Sequence, residues 1–310
     1  MLDAYIYDGL RTPFGRHAGA LAPVRPDDLL AGVIRALIAR NPFAPEDFED
    51  LVAGNTNQAG EDARNLARHA GLLAGLPETV AGLTVNRLCG SGLAATLDAA
   101  RMVTVDEGEL VIAAGAESMS RAPFVMAKAE SPYSRNMPMF DSTIGARFPN
   151  PRIEQQFGRD TMPETAQNVA AELAISREQA DAYAAQSQRR YEAARADGFF
   201  ADELQAVEVP QGRKKPPLSV TEDEHPRPGT DVEKLAKLPA IVEGGVITAG
   251  NASGVNDGAG ALIIGSRAAG EKAGIARAPE LLPAAWPACH RASWAWARWA
   301  PAARCWTAPA

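Results

Sequence analysis

The hydrophobic pattern up to Glu117 alternates between short apolar runs and longer segments with helical spacing. Four runs predict strands (DAYIYD, EDLVAGN, GLTVNR and GELVIAAGA), and three segments predict helices (RPDDLLAGVIRALIAR, DARNLARHAGLLAG and CGSGLAATLDAARMVTV). Strands and helices that alternate at this spacing favour right-handed βαβ crossovers. The pattern therefore predicts an α/β fold with a mostly parallel sheet.

The pattern changes after Glu117, where an irregular segment rich in Pro, Ser and Met begins. Two helices are predicted next, because Thr161–Glu164 and Ser176–Gln179 both have the residue types of a capping box. The second helix should run to about Ala196 and end at Asp197-Gly198. A basic loop interrupted by prolines follows. We predict that residues 118–248 form an inserted domain.

The α/β pattern resumes near residue 249, with a predicted turn cluster (NASGVNDGAG) and a strand (ALIIGS) that could join the first sheet. Residues 1–117 and 249–276 are therefore predicted to form one domain. Residues 277–310 have neither a helical period nor strand alternation, yet they hold all five tryptophans of the chain. We expect an aberrant, disordered tail that arises from out-of-frame translation; the alternative is an aromatic interaction tail.

The charge and composition exclude several classes of protein. A net charge of −7 argues against proteins that bind nucleic acid or anionic membranes. The start of the chain lacks a signal-peptide pattern, and no apolar stretch approaches the roughly 20 residues of a spanning helix. We therefore expect a soluble, cytoplasmic protein. The cysteines (Cys89, Cys289 and Cys305) lack metal-ligand spacing, so no metal site is predicted.

The most informative motif is VNRLCGSGLAA, in which Cys89 lies between a predicted strand and a predicted helix. A helix N-terminus favours the thiolate, because its unpaired N–H groups and its dipole stabilise negative charge. Gly90 and Gly92 would let a substrate carbonyl approach closely. The motif fits a nucleophilic cysteine, while an inert cysteine of the core stays open as the alternative. The helix itself is apolar nearly all round and needs cover on two sides.

Several blocks along the chain resemble the thiolase family. NRLCGSGLAA is similar to the acyl-enzyme cysteine motif, and GAESMSRAPF and TAGNASGVNDGAGALI are similar to two further family blocks. GRHAGALAPVRPDDLLA, GNTNQAGEDARNLAR, STIGARFPNPRIEQQFG and DTMPETAQNVA most resemble the 3-oxoadipyl-CoA (β-ketoadipyl-CoA) thiolases. The resemblance extends from residue 1 to about residue 276.

The resemblance implies a thiolase-like N-terminal half, with a five-stranded, mostly parallel sheet and a loop domain inserted before its last strand. It implies an acyltransferase of aromatic-compound degradation that cleaves 3-oxoadipyl-CoA with CoA to give succinyl-CoA and acetyl-CoA. Cys89 would carry the acyl group. Met162, Arg227 and Ser253 would contact CoA or the substrate. The alternatives are that Met162 is a packing residue, Arg227 a solvated loop charge and Ser253 part of a turn. Coenzyme A is then a substrate, no cofactor is implied, and complete family members form homodimers or tetramers.

Three further motifs of the family belong to its second half. They are a Gly-His-Pro motif, a Cys-x-Gly motif and an Asn-Glu-x-Phe-Ala motif, and none of them occurs in these 310 residues. General acid–base catalysis is worth about 10²–10⁴-fold for each positioned group. The alternative to an active thiolase is therefore a truncated, inactive thiolase remnant.

Overall fold

The computed structural model describes residues 2–275 and 278–281, and every element below lies in this part of the chain. The strands are Tyr5–Arg11 (β1), Gly15–Arg16 (β2), Asp50–Gly54 (β3), Leu83–Val85 (β4), Leu110–Ser118 (β5), Phe124–Met126 (β6), Met139–Asp141 (β7), Val207–Val209 (β8), Leu218–Val220 (β9) and Asn256–Gly265 (β10). The α-helices are Pro26–Ala39 (α1), Leu66–Ala74 (α2), Ser91–Thr104 (α3), Pro151–Phe157 (α4), Met162–Glu172 (α5), Arg177–Ala196 (α6), Val232–Ala236 (α7) and Arg267–Lys272 (α8).

The described residues divide into two compact units. The first consists of the residues up to Ile144, Phe200–His225 and the residues from Val255 onward, and it contains every strand. The second consists of Gly145–Phe199 and Pro226–Gly254 and contains α4 to α7. The first unit thus includes much of the range 118–248 that the sequence assigned to an insertion. The bounds at 118 and 248 stay a prediction about domains.

The main sheet of the first unit has the strand order β1–β10–β5–β3–β4, and the short β2 also pairs with β10. β3 is parallel to β4 and β5, whereas β10 is antiparallel to β1, β2 and β5. The α/β class and the mostly parallel sheet are confirmed, because β1, β3, β4 and β5 run in the same direction and β10 runs opposite to them. β10 follows β5 through a long intervening segment instead of a single crossover helix, so the crossover rule does not fix its direction.

The core of this unit lies on both faces of the sheet. On one face, α1 and α2 pack large aliphatic side chains such as Leu30 and Ile34 against Ile112 and Ile263. On the other face, α3 packs small residues such as Ala95 and Ala99 against Val111 and Ile264. Because neighbouring strand residues point to opposite faces, β5 and β10 contribute to both clusters. The sheet is therefore buried on two sides, as in other α/β folds.

The predicted turn cluster NASGVNDGAG is wrong in its second half, because Asn256–Gly260 forms the start of β10. The glycines there serve close packing rather than a turn. A Cβ on Gly258 would lie 3.0 Å from the Phe14 ring, while the neighbouring Asp257 is buried. Glycine in a strand often marks such a close approach, which the pattern of turn-forming residues does not reveal.

The helices of the second unit follow their predicted caps. Thr161 and Ser176 both form capping boxes, at the starts of α5 and α6, and α6 ends before Asp197 as expected. In the first unit, α2 begins at Leu66, later than predicted, because Asn65 caps it and Arg64 has a φ of 69°. The sequence did not predict the short helices α4, α7 and α8. Helices of this length show too few turns for a hydrophobic period.

The predicted tail lies almost wholly outside the described residues. Residues 278–281 are the exception: the Ile6 N–H donates to the Pro279 carbonyl at 2.9 Å, and the Leu281 N–H donates to the Ala4 carbonyl at 2.9 Å. This short segment extends along β1 because backbone pairing needs no side-chain pattern. The aberrant, disordered tail stays a prediction, of which the structure describes only these four residues.

Residues 2–275 and 278–281 contain neither a helix that could cross a membrane nor a cluster of metal-ligand side chains. None of the helices there has both the length and the apolar character that a membrane crossing requires. In the same residues, no three His, Cys, Asp or Glu side chains come together as a possible metal site.

Candidate active site

Cys89 lies in a five-residue turn, 86–90, that joins β4 to α3. Gly90 is the N-cap of α3, so the cysteine directly precedes the cap, and its side chain is exposed. Leu88, its neighbour, adopts the left-handed conformation with a φ of 49° and is 68% exposed. A non-glycine residue in this region is uncommon, and such strain concentrates at functional turns. The predicted strand–cysteine–helix arrangement is confirmed.

Short-range hydrogen bonds fix this cysteine turn. Ser91 Oγ accepts from the Arg87 N–H at 2.8 Å and donates to the Leu88 carbonyl at 2.6 Å. The Asn86 side chain accepts from the Leu88 N–H at 2.9 Å. Both backbone groups of Leu88 are therefore bonded, so the left-handed residue is held on either side. The turn has a defined shape even though the Cys89 side chain is exposed.

The start of α3 approaches the sheet very closely. A Cβ on Gly54, the last residue of β3, would lie 2.5 Å from the carbonyl carbon of Ser91. At that distance a side chain and the helix backbone could not both keep their places. Glycine at this strand end therefore allows the helix, and with it the cysteine turn, to lie against the sheet.

An open cavity of about 830 Å³ adjoins Cys89 within the first unit. Much of its wall is backbone, because glycines from β1, β5 and β10 border it. Its charged lining residues are Arg11, Glu117 and Glu203. A space of this size, with few polar groups, has the general character of a small-molecule site.

Glu117, near the end of β5, is the acidic side chain of this cavity with the most hydrogen bonds. Its Oε2 accepts from the Thr56 N–H at 2.8 Å and from Thr56 Oγ1 at 2.6 Å, and its Oε1 accepts from the Asn57 N–H at 3.1 Å. Burial raises the pKa of Glu117 above its usual value, and the nearby Asp62 carboxylate adds to the rise. The hydrogen bonds from Thr56 and Asn57 oppose the rise, because they stabilise the ionised form.

Arg11 is the cation of the cavity wall, and its charge is compensated. Its Nε donates to Glu203 at 2.7 Å, its Nη1 donates to Asp223 at 2.8 Å, and its guanidinium lies 4.9 Å from the Phe14 ring centroid. Burial opposes the charged form, but the hydrogen bonds to Asp223 and Glu203 outweigh it and raise the pKa of Arg11. These contacts indicate a structural tie rather than a cation that awaits an anionic ligand.

The other predicted site residues lie in the second unit. Met162 is the first residue of α5 and is 54% exposed. Arg227 is exposed, and its backbone N–H donates to the Gln188 side chain at 2.9 Å. Ser253 is exposed in the segment before β10. Their roles toward CoA stay predictions.

Sequence reasoning missed Glu117 and Thr56. The two residues bond to each other although they are 61 positions apart, and no local pattern reveals such a contact. One signal was available: Glu117 directly follows the predicted strand GELVIAAGA, and the carboxyl ends of strands in an α/β sheet often border a ligand site.

A comparison with known families decides which family this is. The family described as "Thiolase, N-terminal domain" matches residues 4–268. The chain belongs to the thiolase family. Among similar thiolases, the 3-oxoadipyl-CoA/3-oxo-5,6-dehydrosuberyl-CoA thiolase of Escherichia coli (strain K12) is 56% identical over 268 residues, which cover 86% of this chain and 67% of that protein. The beta-ketoadipyl-CoA thiolase of Acinetobacter baylyi is 53% identical, with the same coverage.

Solved thiolase structures have the same fold. The acetyl-CoA acetyltransferase of Bacillus anthracis aligns with a TM-score of 0.79 and 32% identity, over 88% of this chain and 68% of that one. Human mitochondrial 3-ketoacyl-CoA thiolase in complex with CoA aligns with a TM-score of 0.77 and 38% identity, over 87% of this chain and 66% of that one. This thiolase chain therefore spans about two thirds of the length of its relatives.

Proposed function

We propose that this chain carries the nucleophile of a thiolase that cleaves 3-oxoadipyl-CoA with CoA, giving succinyl-CoA and acetyl-CoA. The identity of 53–56% to thiolases of this name supports the substrate. The observation that carries the proposal is the position of Cys89, exposed beside a cavity at the start of α3. A thiolate there can reach a bound acyl group without moving the fold.

In the proposed reaction the sulfur of Cys89 forms a bond to the ketone carbon of the substrate. The bond between that carbon and the methylene next to the thioester then breaks, and its electron pair stays on the acetyl-CoA part as an enolate. A proton, equivalent to the one that the cysteine lost, converts this enolate to acetyl-CoA. The thiol of CoA next attacks the succinyl thioester, gives succinyl-CoA and returns a proton to Cys89.

Substrate binding is proposed for Met162, Arg227 and Ser253. Their exposure supports the proposal, because a bound CoA needs accessible partners. The Met162 side chain would pack against the acyl and pantetheine part, Arg227 would meet the nucleotide, and Ser253 would contact the pantetheine. Coenzyme A would act as a substrate, with no cofactor. A cytoplasmic location and assembly into homodimers or tetramers belong to the same proposal.

A second candidate function is that of a thiolase remnant without turnover. Three family motifs, those with the histidine, the second cysteine and the asparagine, are not in the 310 residues. A chain without two proton-transfer groups and one oxyanion site would turn over near the background rate. Such a chain would bind CoA weakly or pair with intact subunits.

Measuring acetylation and thiolysis on the same chain distinguishes the two functions. The chain is incubated with acetyl-CoA, and acetylation of Cys89 is located by peptide mass spectrometry, with Cys89→Ala as the control. Thiolysis of 3-oxoadipyl-CoA is measured in parallel. Steady thiolysis that Cys89→Ala abolishes supports the enzyme. Acetylation without thiolysis supports the remnant. A folded chain that shows neither acetylation nor thiolysis contradicts the proposal that Cys89 is a nucleophile.

A further inference from the structure

We propose that Glu117 is a positioning residue for Cys89, acting through the turn Asn55–Asn57. The inference rests on the proposed function, since it concerns the nucleophile of that reaction. Glu117 accepts hydrogen bonds from all three residues of the turn Asn55–Asn57. Its influence would pass through two further contacts.

The first step is the set of hydrogen bonds by which Glu117 holds this turn. Its two carboxylate oxygens accept the backbone N–H groups of Thr56 and Asn57, together with the Thr56 hydroxyl. Asn55 is buried, and its side chain donates to the Ala116 carbonyl at 2.9 Å, next to Glu117 on β5. The Asn55 side chain also donates to Glu117 Oε1 at 3.4 Å, so the turn is tied to the end of β5 by several bonds, of which the carboxylate accepts four.

The second step links this turn to the residues that precede Cys89. The Asn55 N–H donates to the Val85 carbonyl at 3.1 Å, and the Asn86 side chain donates to the Thr56 carbonyl at 3.3 Å. The same Asn86 side chain accepts the N–H of the left-handed Leu88. A displacement of Thr56 would therefore change the anchor of Asn86, and through it the position of the sulfur relative to α3.

The charged groups near these contacts determine whether the pH of half-maximal Cys89 alkylation should rise or fall in each variant. Glu117, Arg11 and Glu203 line the cavity, Asp62 is close to Glu117, and Arg87 lies in the cysteine turn. Arg11 is bonded to Glu203 and Asp223. Loss of the Glu117 charge alone would favour the thiolate, because a neighbouring negative charge disfavours it. Loss of position would do the opposite, because the sulfur would gain less from the N–H groups at the start of α3.

The test is the pH profile of Cys89 alkylation by iodoacetamide in the full chain. Peptide mass spectrometry separates this site from Cys289 and Cys305. In Glu117→Gln, we expect the pH of half-maximal alkylation to rise by roughly half a unit or more. Asn86→Ala changes no charge and should raise it similarly. In the Asn86→Ala background, Glu117→Gln should lower it instead, because only the charge effect is left.

The control is Asp50→Asn, at the opposite end of the sheet. Burial raises the pKa of Asp50 as well, but this residue begins β3 and bonds the neighbouring Leu51 N–H. It should leave the alkylation profile unchanged. A profile that moves down, or does not move, in Glu117→Gln overturns the positioning role, provided circular dichroism shows a folded chain. Because the profile needs no turnover, this result is independent of whether the chain performs thiolysis.

Discussion

Ser91 is the side chain that closes the cysteine turn, and it is buried. Its hydroxyl accepts the Arg87 N–H and donates to the Leu88 carbonyl. Ser91→Ala removes both of these hydrogen bonds, which together contribute about 1–3 kcal/mol at roughly 0.5–1.5 kcal/mol each. We expect the free energy of unfolding in urea to fall by that amount. Ser219→Ala, on the exposed side of β9, is the control and should change it by less than about 0.5 kcal/mol. Equal effects would show that the hydroxyl does not hold the turn.

Glu61 gives a pH-dependent contribution to stability. The hydrogen bond from Arg121 is the main cause that lowers the pKa of Glu61 below its usual value of 4.5. A carboxyl with a lowered folded pKa stabilises the fold above its unfolded pKa, and this stabilisation disappears as the pH falls through the folded value. Glu61→Gln should therefore cost about 0.5–1 kcal/mol at neutral pH and progressively less in acid.

Urea denaturation at several pH values measures this difference. Glu107→Gln, at an exposed position after α3, is the matched control and should have little effect throughout. A deficit of Glu61→Gln that grows as the pH falls would contradict the assigned sign.

At the residue scale, the sequence predicted the place of Cys89 between a strand and a helix, but not the contacts between β3 and β5 beside it. Cys89 stands in a local pattern of strand, glycines and helix, so neighbouring residues suffice to predict this placement. Glu117 and Thr56 meet only when β3 and β5 lie side by side, as they do in the parallel pairing of Gly54 with Gly115. Contacts of this kind depend on the sheet and not on the local sequence.

At the scale of the element, Gly54 determines how close α3 lies to the sheet. In Gly54→Ala the new Cβ would meet the Ser91 carbonyl carbon at 2.5 Å, so the helix start must shift. We expect a loss of about 1–3 kcal/mol or more in the free energy of unfolding, as for other overpacked sites. Gly92→Ala is the matched control, because a Cβ there meets nothing within 4 Å. A similar loss in both variants would contradict the close approach to Ser91 as the reason for glycine at position 54.

The elements themselves were predicted where capping residues or a long period mark them. α1 shows Asp27 and Asp28 in its first turn, and α6 has its capping box at Ser176, so both appear in the sequence. The direction of β10 was not predictable in this way. Its residues alternate in burial whichever way the strand runs, and the antiparallel pairing with β5 depends on where the long segment between them returns.

At the scale of the whole molecule, the two faces of the sheet should differ in their tolerance of cavities. Ile263 and Ile264 are neighbours on β10, both fully buried, and they point to opposite faces. Each substitution by alanine should cost about 2–5 kcal/mol. Ile263→Ala should lower the free energy of unfolding more than Ile264→Ala does. Ile263 lies in the larger cluster between α1 and the sheet, where the large aliphatic side chains cannot all shift to fill the cavity.

Urea or thermal unfolding of the two variants measures this difference. Ile144→Ala is the matched control, since Ile144 is 66% exposed, and it should cost less than about 1 kcal/mol. A larger loss for Ile264→Ala would mean that α3, and not α1, makes the tighter contact with the sheet.

The short segment at residues 279–281 has a consequence for solubility. An edge strand with free N–H and carbonyl groups can pair with a strand of another molecule, and such pairing is a common start of aggregation. Along β1, the carbonyl of Pro279 and the N–H of Leu281 occupy such groups of Ile6 and Ala4. These few residues, which show no strand-like alternation of apolar side chains, thereby protect one edge of the sheet from pairing with another molecule.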